Sequence, residues 1–190
     1  MTILALDPGL CDCGWAVVAP RTGKVAALGL IHQDRNPKLD ESTCRARRLR
    51  HQATALYEIA IAHGCTAIAA EAMSFGGPPK ARFSMAISIG LSWGGLAGVA
   101  AALELELYEV PPKLWQHAVL DLDIGARCKV DYDDVFRTLS DFVQRGTAAW
   151  SQLSALRGSR RNHALDAVGV GVFTALRPNE ATRIGGKSPQ

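Results

Sequence analysis

Three acidic residues of this sequence stand in apolar surroundings, where a carboxylate is costly to bury. Asp7 follows an apolar run at 3–6, Glu71 lies inside a second run at 66–72, and Asp166 lies in a later helix-like segment. A buried carboxylate without a partner is strongly destabilising, so each acid needs a cation or a hydrogen bond. Hard divalent cations take oxygen ligands, and two of them can clamp the attacking and leaving oxygens of a phosphoryl group. The three acids therefore predict a two-metal site for phosphodiester chemistry.

The elements that must position these acids follow from hydrophobic periodicity and turn residues. Strands are predicted at 3–6, 14–19, 25–32, 66–72 and 106–110, and helices at 42–63, 81–103, 113–120, 132–144 and 162–176. Three strands followed by alternating helix and strand predict an α/β domain, with a five-stranded mixed sheet flanked by helices on both faces. Ligands bind beyond the carboxyl ends of parallel strands, so Asp7 and Glu71 meet there if the first and fourth strands are neighbours.

Composition limits the class of protein. The 190 residues, 48% hydrophobic and 21% charged, fit one globular domain, predicted over 1–176, with 177–190 as a polar tail that has little reason to pack. Charges are expected to interrupt every apolar stretch before it reaches membrane-spanning length, and no leader is expected at the start. We therefore expect a cytoplasmic or nucleoid-associated protein without a membrane partner.

The five cysteines are an odd number without paired C-x-x-C spacing. This pattern favours reduced thiols over a zinc site or a disulfide framework. Cys11 and Cys13, separated by one residue, fit a tight turn better than a soft-metal site.

Basic residues border the acids, although the net charge of +3 is too small to indicate a nucleic-acid partner by itself. Those expected to contact a polyanion near the second and third acids are Lys80, Arg82, Arg157, Arg160 and Arg161. A further basic run at 45–50 is more typical of a solvated helix face.

Four short motifs resemble those of the RuvC-type Holliday junction resolvases, a family of the RNase H-like superfamily. They are LALDPGLCDCGWAVV, AIAAEAMSF, VPPKLW and NHALDAVGVGV, and they occur in the family's order and at roughly its spacing through most of 3–176. The resemblance implies an RNase H-like sheet. It also implies that the family's metal-binding acids are Asp7, Glu71 and Asp166.

Most family members carry another aspartate three residues before the last acid, where this chain has His163. Residues three apart on a helix share a face, so His163 and Asp166 can reach the same metal. The resemblance implies two Mg²⁺ ions per active site, and an imidazole ligand favours substitution by Mn²⁺.

The family's lysine near the scissile phosphate corresponds to Lys113. Its second lysine corresponds to Lys129, with Arg127 as the alternative, in a region where this chain has extra residues. The aromatic residue that the family stacks against junction bases has its nearest counterpart in Phe75, shifted by about one residue. These residues complete the DNA-binding set that the resemblance implies.

The implied activity is that of a crossover junction endodeoxyribonuclease in recombination and repair. Such an enzyme nicks two opposed strands of a four-way junction symmetrically and leaves 5′ phosphates. The resemblance also implies a homodimer and a possible branch-migration helicase partner. The alternatives are a phage-type branched-DNA endonuclease of relaxed specificity, a non-cleaving junction-binding protein, and an actin-like kinase or ATPase. The last class needs a second, similar domain, which we do not expect within 190 residues.

Each candidate residue also has a simpler structural interpretation. Asp7 can be a turn residue that accepts backbone hydrogen bonds, and Glu71 can be a buried acid paired with an arginine. Asp166 can lie in the first turn of its helix, where a carboxylate interacts favourably with the helix dipole. His163 can form a hydrogen bond to the backbone at the start of the helix.

Three further features have equally simple alternatives. Lys113 can be an exposed residue at the start of a helix without a functional role, and Phe75 can be a packing residue. The glycines at 90, 94, 95 and 98 leave a bare face on the predicted long helix, which can pack on the sheet or on a second subunit.

Overall fold

The computed structural model describes residues 2–34, 36–72, 79–121 and 131–184. The strands in this part of the chain are β1 Ile3–Asp7, β2 Asp12–Val18, β3 Val25–His32, β4 Ala67–Glu71, β5 Glu106–Val110 and β6 Thr182–Ile184. The helices are α1 Glu41–Ala62, α2 Pro79–Ala102, α3 Pro112–Leu120, α4 Tyr132–Leu139, α5 Ala148–Ala155 and α6 Gly158–Leu176.

All six strands belong to one mixed sheet with the order β3-β2-β1-β4-β5-β6. The first three strands form an antiparallel meander, β1, β4 and β5 are mutually parallel, and β6 returns antiparallel to β5. Leu6 on β1 lies opposite Ala70 on β4, so Asp7 and Glu71 are the next residues along two adjacent parallel strands. The predicted meeting of these acids at one edge of the sheet is confirmed.

Helices cover both faces of the central strands, which explains why β1 and β4 are almost entirely apolar. Side chains alternate along β1: Ile3 packs in the core under α6, whereas Leu4 packs in the core under α1 and α2. Both side chains are fully buried. Asp7 and Glu71, the last residues of β1 and β4, therefore lie at the boundary between the apolar core and the edge of the sheet.

Close approach of α6 to the sheet depends on glycines. A Cβ on Gly14 of β2 would lie 1.9 Å from the carbonyl oxygen of His163, and a Cβ on Gly171 would lie 2.5 Å from Val18. No residue larger than glycine fits at either place without moving backbone or core. The helix that carries the third acid is thus packed directly on β1 and β2.

The ends of α1 show why the long helix starts and stops where it does. Asp40 caps its start by accepting a hydrogen bond from the backbone amide of Thr43 at 3.0 Å. Gly64, with φ of 58°, follows its end in the left-handed conformation that glycine adopts readily. The helix ends within one residue of its predicted end at 63.

Some elements differ from the sequence prediction. The sheet has a sixth strand, β6, formed by residues of the predicted polar tail, and α5 lies where a connection was expected. The predicted helix 132–144 is α4 followed by a 3₁₀ turn at Ser140–Phe142. α6 begins at Gly158, four residues before its predicted start at 162. Tertiary pairing and packing, which local patterns do not encode, create β6 and α5.

The expectation that charges interrupt every apolar stretch was wrong for α2. Residues 83–103 carry no charge, and Met85–Ala102 is long and apolar enough to cross a membrane by length and composition alone. Its mean hydropathy is 1.5, and 28% of the segment is buried. One side of α2 packs on the core through Leu96 and Val99, so the remaining apolar surface lies outward.

Candidate active site

Asp7, Glu71, His163 and Asp166 are brought together by three elements at one edge of the sheet. β1 and β4 supply Asp7 and Glu71, and α6 supplies the other two. His163 Nδ1 lies 2.5 Å from Asp7 Oδ2. The charge of Asp7 also raises the pKa of both Glu71 and Asp166, as expected for carboxylates that share one small site.

The pair formed by Asp7 and His163 joins the sheet to α6. The side chain of Asp7 is 14% exposed and that of His163 is 36% exposed. The hydrogen bond to Asp7 raises the pKa of His163. Because an ionised carboxylate only accepts hydrogen bonds, Nδ1 carries the proton in this bond. The side chain of His163 therefore bonds to Asp7, and the interpretation as a backbone-bonded helix-start residue does not describe it.

Glu71 is held by the indole of Trp115, which donates from Nε1 to Oε1 at 2.8 Å. Burial is the main cause that raises the pKa of Glu71, to about 7, and the charge of Asp7 adds to it. The partner that the structure gives this acid is an indole rather than the arginine of the simpler interpretation. A neutral donor leaves the negative charge of the ionised carboxylate uncompensated.

Asp166 has one oxygen bonded and one oxygen without a partner. The hydroxyl of Tyr132 donates to Oδ2 at 2.8 Å, whereas Oδ1 is buried and has no partner in the described part of the chain. Burial, followed by the charges of Asp7 and Glu71, raises its pKa to about 8. Because α6 starts at Gly158, Asp166 lies in the third turn, beyond the reach of a first-turn dipole effect.

These observations fit a divalent-cation site. Carboxylate oxygens are the ligands that hard cations prefer, and a cation would compensate the charge that raises the pKa of two of the acids. The unpartnered Oδ1 of Asp166 is an oxygen that such an ion would satisfy. Among the described residues, however, no three His, Cys, Asp or Glu side chains are already arranged as a set of metal ligands. Hydrogen bonds from His163, Trp115 and Tyr132 hold one oxygen of each acid.

Comparison with known proteins gives results at the level of structure. The sequence matches no protein-family model, and no curated protein matches it significantly. The T. thermophilus RuvC structure in complex with a Holliday junction substrate matches with a TM-score of 0.71 and 17% identity, over 97% of this chain and 99% of that chain. The chain has the RuvC fold.

Two further structures agree with this result. A Thermus thermophilus RuvC structure gives a TM-score of 0.65 at 19% identity, over 97% of this chain and 100% of that chain. The yeast mitochondrial Holliday junction resolvase Ydc2 gives 0.59 at 9% identity, over 90% of this chain and 75% of that chain. The resemblance predicted from the four motifs is confirmed for the fold, with one strand more than the five expected.

Two residues of this RuvC-fold site were missed by the sequence analysis. Trp115 belongs to the VPPKLW motif but was given no role, and Tyr132 was only the first residue of a predicted helix. Trp115 is fully buried, and a buried indole or phenol usually finds an acceptor. That rule predicts that both side chains donate a hydrogen bond to a buried acceptor. It does not predict that the acceptors are Glu71 and Asp166.

Two of the predicted DNA-binding arginines have partners within the protein. Arg161 donates to Asp133 at 2.8 Å and lies 5.3 Å from the ring centroid of Phe136. Arg157 donates to backbone carbonyl groups around the end of α5. Both side chains thus have structural contacts, and their contact with DNA stays a prediction.

Arg160 and Lys113 lie at the surface beside the site. Arg160 is half exposed and contacts His32 Nε2 at 3.0 Å, with Asp12 at 3.9 Å. Lys113 is exposed near the start of α3, two residues before Trp115. Their proposed contacts with DNA also stay predictions.

The remaining predicted DNA-binding residues cannot be placed at the site. Phe75, Arg127 and Lys129 lie outside the described residues. Lys80 and Arg82 lie on α2, but their side chains fall outside the described part of the chain.

A cavity of about 420 Å³ opens beside His163. Its other lining residues come from the β1–β2 turn, α1 and α2, and are Gly9, Leu10, Cys11, Asp12, Glu41, Arg48 and Ser88. His163, one of the four clustered residues, therefore borders a cavity that is open to the surface.

Proposed function

We propose that this chain is a divalent-metal-dependent endonuclease that resolves four-way DNA junctions. The observation that carries the proposal is the gathering of Asp7, Glu71, His163 and Asp166 at one edge of a RuvC-fold sheet. A T. thermophilus RuvC neighbour was solved in complex with a Holliday junction substrate, which supports branched DNA as the substrate class. In its specific form, the activity is that of a crossover junction endodeoxyribonuclease, which leaves 5′ phosphates.

The four clustered side chains would hold two Mg²⁺ ions, with Mn²⁺ able to substitute. When bound, the ions lower the pKa of the attacking water and stabilise the departing 3′ oxygen. The charge of Asp7 acts on both Glu71 and Asp166, so Asp7 is the residue best placed to bind both ions. His163 donates from Nδ1 to Asp7 and fixes the orientation of that carboxylate. Lys113 would offset the negative charge that gathers on the phosphate during attack.

A homodimer is the second part of the proposal, and α2 offers a surface for it. Phe83 and Met85 on α2 are 72% and 41% exposed. Gly94 and Gly98 line an open apolar groove of about 390 Å³ between α1 and α2, and a Cβ added at either position would meet no atom within 4 Å. Gly95, by contrast, packs against Leu49 of α1. The bare glycines therefore favour contact with a second subunit over contact with the sheet.

A two-fold symmetric dimer presents two active sites to a substrate that is itself nearly two-fold symmetric. This match explains why two opposed strands would be cut in pairs. A branch-migration helicase partner and a location in the cytoplasm or at the nucleoid complete the proposal.

The experiment is cleavage of an end-labelled four-way junction, compared with linear duplex and flap DNA of the same arm sequences, in Mg²⁺, Mn²⁺ and EDTA. Paired symmetric nicks on the junction in either metal, and none in EDTA, are expected. Equal cutting of flaps would support a branched-DNA endonuclease of relaxed specificity instead. Tight junction binding without cutting in either metal would overturn the enzymatic assignment.

A further inference from the structure

We propose that Tyr132 and Trp115 are positioning residues for metal binding. Each occupies one oxygen of an active-site acid and thereby fixes the direction of the other oxygen. The proposal rests on the metal-dependent function proposed above and adds two residues, from α4 and α3, that touch neither metal nor DNA.

The two oxygens of the Asp166 carboxylate have different surroundings. The phenol hydroxyl donates to Oδ2 at 2.8 Å, and Oδ1 remains buried without a partner in the described part of the chain. A buried unpartnered acceptor is destabilising, so an arrangement that maintains one calls for a ligand. The geometry points to Oδ1 as the oxygen that Asp166 offers to a metal ion.

The position of the Tyr132 hydroxyl is set by the packing of α4 on α6. Tyr132 is the first residue of α4, directly after Asp131, whose side chain caps the helix by accepting from the amide of Asp133. Asp133 in turn pairs with Arg161 of α6 at 2.8 Å. The helix that carries Tyr132 thus contacts the helix that carries Asp166, and this contact places the hydroxyl beside Oδ2.

Trp115 is held even more firmly. Its ring is fully buried and lies against Gly169 of α6, where a Cβ would be 2.4 Å from ring atoms Cε3 and Cζ3. Gly169 comes three residues after Asp166, so the indole fills the space between α3 and the metal-binding helix. From there its only donor, Nε1, reaches Glu71 Oε1 at 2.8 Å. Packing that leaves no room for a side chain at 169 therefore aims the indole at the second acid.

A purely structural role makes a different prediction from a positioning role. If the two donors only satisfy buried acceptors, their removal lowers stability and leaves metal affinity unchanged. If they orient the acids, removal weakens metal binding even where the fold is intact, because partners of metal-binding carboxylates typically contribute 10- to 100-fold in affinity.

The test is Mn²⁺ binding to the protein without DNA, followed by electron paramagnetic resonance, for wild type and Tyr132→Phe. This substitution removes only the hydroxyl. The matched control is Tyr108→Phe, which removes a hydroxyl that donates to Glu106 Oε2 at 2.7 Å on β5, away from the acids. Thermal unfolding in EDTA is measured for each variant. For Trp115, replacement by the isosteric analogue 3-benzothienylalanine removes the N–H and keeps the shape of the ring.

We expect Tyr132→Phe and the Trp115 analogue each to bind Mn²⁺ at least about tenfold more weakly than wild type. The control should bind as tightly as wild type. Wild-type affinity in both site variants, together with loss of binding in Asp166→Asn, would overturn the positioning role and leave the proposed function standing. Absence of Mn²⁺ binding to wild type would overturn both.

Discussion

Gly14 offers the sharpest structural perturbation of the proposed site. The substitution Gly14→Ala adds one methyl group on β2, and its Cβ would lie 1.9 Å from the carbonyl oxygen of His163 and 2.9 Å from the backbone nitrogen of Ala164. Ordinary contact begins at 3.4 Å, so strand and helix must separate by about 1.5 Å. Both neighbours are backbone atoms, and no side-chain rotation can relieve the overlap.

The displacement has two measurable consequences. Overpacking of this kind costs about 1–3 kcal/mol, which corresponds to a fall in Tm of about 3–10 °C for a chain of this length. The separation also moves His163 and Asp166 away from Asp7 and Glu71, and a misplacement of about 1 Å lowers catalytic rate roughly 100-fold. We therefore expect a folded, less stable protein with a much larger loss of cleavage than of stability.

The assay is junction cleavage under single-turnover conditions, well below the Tm of the variant, with Tm measured by calorimetry. Thr138→Ala is the control, because Thr138 is an exposed residue of α4 that lies outside the proposed α2 contact surface. Alanine is the better helix former, so this control should gain up to about 1 kcal/mol in stability and keep wild-type cleavage. Wild-type Tm and cleavage rate in Gly14→Ala would refute the close packing of α6 on β2.

Three further predictions concern charge and assembly. Because burial raises the pKa of Asp166 to about 8, the folded state keeps a proton that the unfolded state releases above about pH 4, so the metal-free protein loses stability as pH rises from about 4 to about 8. Asp166→Asn should therefore be more stable than wild type in EDTA at pH 8, by at most roughly 5 kcal/mol, and lose this advantage at pH 4. Equal denaturant midpoints at pH 8 would contradict this prediction. With Glu71 and Asp166 raised to about 7 and about 8, Mn²⁺ binding at pH 6.5 should release about one to two protons. Isothermal titration in buffers of different ionisation enthalpy measures this release, and a binding enthalpy independent of buffer would exclude it. Gly94→Arg, placed in the open α1–α2 groove, should give a folded monomer by analytical ultracentrifugation, whereas a dimer of unchanged affinity would move the interface elsewhere.

The part of the site that the sequence predicted best is the part encoded locally. An apolar run that ends in an acid predicts both the strand and the edge position of Asp7 and Glu71, and the parallel register places them side by side. The three-residue spacing of His163 and Asp166 predicts one helix face, and both side chains reach the cluster. Short-range patterns were sufficient here because strand and helix geometry fix where such side chains point.

Long-range contacts account for most of what the sequence did not predict. Trp115 and Glu71 are 44 positions apart, and Tyr132 and Asp166 are 34 apart, so no local spacing links them. β6 is only three residues long and exposed, and its pairing with β5 defines it rather than any alternation of its own. Such elements form because neighbours are already in place, which sequence patterns alone do not reveal.

The early start of α6 has a similar cause. Arg157, Arg160 and Arg161 suggested a polar connection, yet the helix begins at Gly158. Arg161, in the first turn of α6, forms an ion pair with Asp133 on α4, so this polar turn has a contact outside its own helix.

The proposed function requires that Asp7, Glu71, His163 and Asp166 together cut DNA. Its most direct test compares wild type with Asp7→Asn on a labelled four-way junction in Mg²⁺ and Mn²⁺, with junction affinity measured in EDTA. Asparagine can still accept the hydrogen bond from His163, so the variant keeps the fold and loses the charge. Asp141→Asn, an exposed acid outside the site, serves as the control. We predict that Asp7→Asn binds the junction as wild type does and cuts neither strand, whereas metal-dependent cutting by this variant would contradict the account.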